Sequence, residues 1–426
     1  MMVACLSLST LTLDHVSPTR NLPSTSRPNF TSQDAIIFLQ NCASFKHMKQ
    51  IHAKIIRNSL HQDQLIVTRL IRLCSFYREL DYATFVFRQL ENPSTFTWNL
   101  LIRAYTVNEC SFRAILLYNS MVCSGVTIDK FTFPFVMKAC LACSCVEKAK
   151  EVYGLAIKSG FCGDVYLDNV LMDLYLKCGV LDDGLKVFDK MRYRTIVSWT
   201  TVIAGLVCNG RMDVAQKLFY KMPVRNVVAW TAMINGYAKS EKPEKAFDLF
   251  SEMQSDDVQP NEYTLVGLLV ACAELESLKL GRWIHDYAIK NGFEIGVFLG
   301  TALIDMYSKC GSLEYAERVF ENMEMKSVAT WNAMITSLGV HGRGEEALLL
   351  FEEMERMNVK PDGITFTGVL CACVQMDDIE KGREYFYYMT ERYGINPRFE
   401  HYVCLLEMYA RVAKLLDPTL LNVPML

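Results

Sequence analysis

Long apolar runs are missing from this chain. The best candidate, Tyr263 to Ala273, falls well short of the ~18 residues a bilayer-spanning helix needs, so no membrane insertion is expected. A surplus of positive charge is missing too: 44 Lys and Arg stand against 47 Asp and Glu, a formal net charge of −3. That balance counts against a protein that grips nucleic acid through phosphates alone, and no DNA partner is expected. The chain has no Gly-x-x-x-x-Gly-Lys-Ser/Thr loop, no Gly-x-Ser-x-Gly elbow and no Gly-x-Gly-x-x-Gly turn. Nothing therefore points to an enzyme or a cofactor. What is present, 51% hydrophobic and 21% charged residues over 426 positions, is enough to fold as two or three domains or as one long array.

Tryptophan is scarce as well, and its placement decides between those options. Four of the five, Trp98, Trp199, Trp230 and Trp331, recur at spacings of 101, 31 and 101 residues. They sit in matching phrases: Thr97-Trp98-Asn99, Ser198-Trp199-Thr200, Ala229-Trp230-Thr231 and Thr330-Trp331-Asn332. A fixed period means a repeat architecture. With Thr95 as the first residue of a unit, Thr95–Asp129, Lys130–Asp164, Val227–Asn261, Glu262–Gly296 and Val328–Asp362 are 35 residues each. Gln64–Ser94, Val165–Thr195, Ile196–Asn226 and Val297–Ser327 are 31 each. Ser32–Asp63 reads as a shortened unit, Gly363–Arg398 as one of 36 residues, and Phe399–Leu426 as an incomplete or truncated one.

Equivalent positions carry equivalent residues. The fifteenth is glycine at Gly179, Gly210, Gly311 and Gly342, where a chain leaving a helix needs a left-handed residue. The twentieth is alanine at Ala83, Ala114, Ala215, Ala246, Ala316 and Ala347. The twenty-fourth is aromatic in seven units, from Phe87 and Tyr118 to Phe351, and the twenty-seventh is methionine in six, from Met121 to Met354. Spacings of four and three place these on one face of a second helix. Each unit thus reads as a helix, a glycine turn and an amphipathic helix that buries its stripe only against stacked neighbours. The expected fold is all-α, a right-handed α-solenoid of stacked helix-turn-helix repeats.

The register also discounts other chemistry. Cys140, Cys272 and Cys373 share the eleventh position and Cys178 and Cys310 the fourteenth, the mark of a small buried side chain. Zinc at Cys140 and Cys143 lacks a second Cys or His pair at suitable spacing, so no metal is expected. His52 and His285 fall in second helices at matching places, with Tyr153 at the same site, and read as packing residues.

The Trp phrases, the strings Tyr175-Leu176-Lys177-Cys178-Gly179 and Tyr307-Ser308-Lys309-Cys310-Gly311, and the closing Val359-Lys360-Pro361-Asp362 resemble plant pentatricopeptide repeat proteins. The alternation of unit lengths is similar to their PLS subclass, and the likeness runs from Ser32 to Arg398. The resemblance implies a sequence-specific binder of single-stranded organellar RNA, about one base per repeat, read by the fifth and last residues of each unit. Carried over, the pairs are Thr68/Ser94, Asn99/Asp129, Asn169/Thr195, Thr200/Asn226, Thr231/Asn261, Thr301/Ser327 and Asn332/Asp362. The family's code links Asn with Asp to uracil and Thr with Asn to adenine, Asn otherwise to pyrimidines and Thr to purines. Pro134/Asp164 and Val266/Gly296 carry little hydrogen-bonding information. The implied target is purine-U-N-pyrimidine-A-A-N-purine-U. Asn and Thr at such places also serve as plain helix caps; their recurrence in register favours RNA contact.

Relatives of this kind often continue into a cytidine deaminase domain, whose His-x-Glu and Pro-Cys-x-x-Cys signatures are absent here. Catalysis, if the role is RNA editing, is then expected from a deaminase or other processing protein in trans. Residues 1–31, rich in Ser and Thr with a single acid, Asp14, read as an organellar transit peptide. The expected compartment is the chloroplast, with the mitochondrion as alternative. The rival function is a helical-repeat scaffold that holds a peptide or protein partner. At the far end, Val412-Ala413 replaces the expected Cys-Gly, and Pro418 and Pro424 forbid a regular second helix.

Overall fold

In the computed structural model, which describes residues 30–161 and 163–416, the described residues form 23 helices and no strand. None of these helices is long and apolar enough to cross a membrane. The leader of residues 1–31 lies outside the described residues except for Phe30 and Thr31, as do Pro418 and Pro424. The described residues divide into two compact units, one ending at Ala139 and the other beginning at Cys140.

Eleven of the twelve first helices begin on the first residue of a unit, and the helix Thr132–Ala142 begins two residues in. First helices are regular, 13 residues in Gln64–Phe76, Thr95–Val107, Val165–Lys177 and Val328–Val340. Within residues 140–426, each first helix packs on its own second helix and on the first helix of the next repeat. Close approach is built in at Gly267, where an added Cβ would sit 1.8 Å from Asn235 Oδ1 of the preceding repeat. The twentieth-position alanines are fully buried and the twenty-fourth-position rings nearly so.

Two expectations need correction. The left-handed residue at position fifteen is glycine in only four units, with φ of 69–77°. Arg78, Glu109, Ser144, Glu276 and Asp377 adopt the same conformation in five others, and Val227–Asn261 turns instead through Ser240–Pro243. The turn is dictated by helix packing, so its conformation recurs where glycine does not. Second, the methionines are not all helical. In three of the 31-residue units the second helix stops after ten residues, at Lys190, Lys221 and Asn322, and Met191, Met222 and Met323 follow in extended conformation. They are still buried. In the long units the helix runs 12 or 13 residues, through Met121, Met253 and Met354.

That difference accounts for the tryptophans. Each ring packs edge-on against the twenty-fourth-position Phe of the short unit before it. The pairs are Phe87–Trp98 and Phe219–Trp230 at 4.7 Å, Phe188–Trp199 at 4.9 Å and Phe320–Trp331 at 5.0 Å. A helix that stops early leaves a gap against its successor, and the indole fills it. Arg194, Arg225 and Lys326, all at position thirty, lie over the same Phe rings at 4.6, 5.6 and 4.9 Å.

At the far end, the helix Phe399–Leu416 runs straight through Val412-Ala413. Nothing in that stretch favours the left-handed turn that ends the other first helices.

Candidate nucleic-acid interface

The last residue of most units is the N-cap of the next first helix. Ser94 accepts from Thr97 N–H, Thr195 from Ser198, Asn226 from Ala229, Asn261 from Thr264, Ser327 from Thr330 and Asp362 from Thr365. Asp129 Oδ1 takes the N–H groups of Phe131 and Thr132 at 2.9 and 3.1 Å. Capping satisfies helix-end donors, so the local reason for these side chains is structural in every case. The cap uses one atom, which divides the set. In Asp129, Asp362, Asn226 and Asn261 the second carboxylate or amide atom is left over, whereas the single hydroxyl of Ser94, Thr195 or Ser327 is also engaged by the third residue of the helix it caps.

The fifth residues stand one turn into the same helices. Thr68, Asn99, Thr231 and Asn332 are buried, at 5–8% exposure, and Asn169, Thr200 and Thr301 are half-buried. Two of the seven expected pairs touch: Asn99 Nδ2 donates to Asp129 Oδ1 at 2.8 Å, and Asn332 Nδ2 to Asp362 Oδ1 at 3.0 Å. The other five pairs do not. Thr231 bonds Thr264 at 2.7 Å, Thr301 bonds Thr330 at 2.8 Å, and Thr68 and Thr200 donate to carbonyls of their own helices. The amide oxygens of Asn99 and Asn169 are buried without a partner, an arrangement that calls for a donor from a ligand or water. Burial alone would raise the pKa of Asp362. The bonds from Thr365 and Asn332 outweigh it and hold the carboxyl below its ordinary value.

Sequence reasoning missed the second position. Leu65, Phe96, Phe131, Tyr166, Val197, Val228, Tyr263, Phe298 and Ile364 are all apolar or aromatic and all 50–67% exposed. The signal was in the register: a core residue does not recur at a place that faces water. Position two lies three residues before position five and two after the capping residue, so each unit presents an apolar surface beside polar edge groups. A cleft of about 880 Å³ shows the combination, lined by Phe298, Thr301, Ser327, Asn332, Asp362 and Ile364.

The ninth position, one turn further on, was also missed. It is basic and exposed in Arg72, Arg103 and Lys138, then acidic in Asp173, Asp305 and Glu407. Residues 32–139 carry 12 Lys and Arg against seven Asp and Glu, while residues 140–426 carry 30 against 39. The overall charge concealed a strongly graded one.

Comparison with known proteins places this geometry. Models of the PPR repeat match residues 96–126, 169–196, 197–227, 301–328 and 364–393, and those of the PPR repeat family match 225–274 and 326–375. A pentatricopeptide repeat-containing protein of Arabidopsis thaliana, described as chloroplastic, is 59% identical over 385 residues, 90% of this chain and 85% of its own. The chain belongs to the pentatricopeptide repeat family. A second Arabidopsis thaliana member is 43% identical over 381 residues, 89% of this chain and 71% of its own. The crystal structure of the pentatricopeptide repeat protein PPR10 from maize shares the fold, with a TM-score of 0.59 at 15% identity, over 92% of this chain and 68% of that one.

The remaining polar groups serve the pentatricopeptide scaffold. Cys74, Cys140, Cys272 and Cys373 are fully buried, and burial pushes each thiol up to about 12, far from the reactive thiolate. His52 Nδ1 lies 2.8 Å from Tyr82 Oη and His285 Nδ1 2.9 Å from Tyr307 Oη, with both imidazole pKa values lowered by burial. At the matching site Tyr153 donates to Asp168 at 2.6 Å. These rings bridge neighbouring helices, as packing residues do.

Proposed function

We propose that the chain is a sequence-specific binder of single-stranded organellar RNA, of the PLS type. In this reading each base lies between the second-position side chains of consecutive units. The fifth and last residues of the unit meet its edge. The observation that carries the reading is the coincidence, in register, of an exposed apolar second position with polar fifth and capping residues. Stacking on apolar and aromatic faces is how single strands are held without a duplex, and a peptide has no need of polar edge groups at one-per-repeat spacing. The orphaned Asn99 oxygen faces no protein donor, and a pyrimidine N–H would satisfy it. Arg72, Arg103 and Lys138 supply phosphate contacts at the amino-terminal end.

The target is purine-U-N-pyrimidine-A-A-N-purine-U, and the role is marking a transcript for processing, stabilisation or C-to-U editing, with catalysis supplied in trans. The chloroplastic designation of the 59% identical relative supports that compartment. Filter binding tests the reading: an RNA with this core should bind at least tenfold tighter than its complement. Equal binding would sink the code. Crosslinking in plastids, followed by sequencing, should recover one transcript carrying the core; recovery of no RNA would favour the protein-scaffold alternative.

A further inference from the structure

The unit Glu262–Gly296 differs from the other units along the row of second positions. Tyr263 and Phe298 bound its slot, and their ring centroids stand 5.9 Å apart at an interplanar angle of 49°. A base inserted between two side chains needs about two stacking distances, roughly 7 Å between parallel faces. The two rings already occupy that space.

The polar groups of this unit are altered in the same sense. Its fifth residue is Val266 and its last is Gly296, an N-cap with no side chain to offer. The missing cap is replaced from across the slot: Glu262 Oε1 accepts from Leu299 N–H at 3.2 Å. That bond ties the starts of two consecutive first helices together and sets a carboxylate beside the slot, where a phosphate would be repelled. On the other side, Gly267 lets its helix approach Asn235 within contact distance.

We propose, resting on the RNA-binding reading above, that the unit Glu262–Gly296 excludes a nucleobase. The seventh nucleotide of the target is a spacer whose base stays unstacked, so two readable blocks, contributed by the units before and after, flank one unread position. Tyr263 and Phe298 are the specificity-determining pair, acting by closure.

Single abasic replacements along a synthetic RNA carrying the nine-nucleotide core test this with the full chain. An abasic second nucleotide, opposite Asn99 and Asp129, should weaken binding roughly tenfold, the scale of a lost base stack. At the seventh position the loss should stay below about twofold. The double variant Tyr263→Val, Phe298→Val introduces the residue that neighbouring repeats carry at this place, as Val197 and Val228. It should open the slot and make the seventh position cost about fivefold or more. Both rings are more than half exposed, so an unchanged melting temperature verifies the fold. An abasic seventh nucleotide as costly as the second in the parent chain would overturn the closure and leave the RNA reading standing. Indifference at every position would overturn both.

Discussion

The short and long repeats solve the same packing problem differently. Long units end their second helix in a left-handed residue, Gly125, Gly160, Asp257, Gly292 or Asn358, after 12 or 13 helical residues. The 31-residue units stop earlier and leave through a buried Met in extended chain, or through the buried Leu90 in the first of them. Their successors fill the gap with Trp. Three of the four short units also close with Ser or Thr, whose single hydroxyl serves the cap, while the long units Thr95–Asp129, Val227–Asn261 and Val328–Asp362 close with Asp or Asn and keep an atom spare. Helix length therefore goes with the closing residue, a hydroxyl after most short second helices and an Asp or Asn after these long ones. Ile196–Asn226 is the exception, short yet closed by Asn.

The largest effect that sharpens this comparison is at the junctions. Trp331→Ala should cost ~3–5 kcal/mol by the cavity it opens, seen as a lowered melting temperature. The half-buried Trp199 should cost clearly less, and equal losses would break the gap-filling account. Next is recognition: Asn99→Ala or Asp129→Ala should weaken binding of the uracil-containing core by ~1–3 kcal/mol. Ser94→Ala, at a hydroxyl already engaged in the cap, should change RNA affinity by less than about threefold. Gly342→Ala forces a side chain into φ of 77° and should destabilise by ~1–2 kcal/mol; Asp377→Gly, at the equivalent left-handed place, should stabilise. Removing a cap by Ser327→Ala should cost ~1 kcal/mol. The smallest effect is on pH. In the long unit Glu262–Gly296, position twenty-four is the half-buried His285, whose pKa is lowered by burial. Such a group binds fewer protons folded than unfolded, so stability present above about pH 6.5 should fall as the pH drops towards the folded value. His285→Phe, the residue short units use, should flatten that part of the stability profile; an unchanged slope would refute it.

Much of this was legible in the sequence. Alanine at position twenty and the aromatic at twenty-four named the helical face, and every one of those alanines is buried. The capping role of Asn226, Ser327 and Asp362 was foreseeable from their place before a helix. Which fifth residues would meet their partners was not: Asn99 and Asn332 reach an aspartate 30 residues away, while Thr231 turns to Thr264. Side-chain reach and the spacing of adjacent helices decide that, and neither is a property of one repeat. The exposed second position escaped because apolar residues at helical spacing read as core until a neighbouring helix is known to be absent.

By itself the sequence determined the register, the all-helical fold and the family, because period and residue type follow from each unit's need to bury one face. Tertiary structure alone decided which polar atoms stay unpaired, that tryptophan marks the junction behind a short helix, and that Tyr263 and Phe298 meet. Those outcomes depend on how far apart two stacked helices stand, a distance set jointly by side chains from both units.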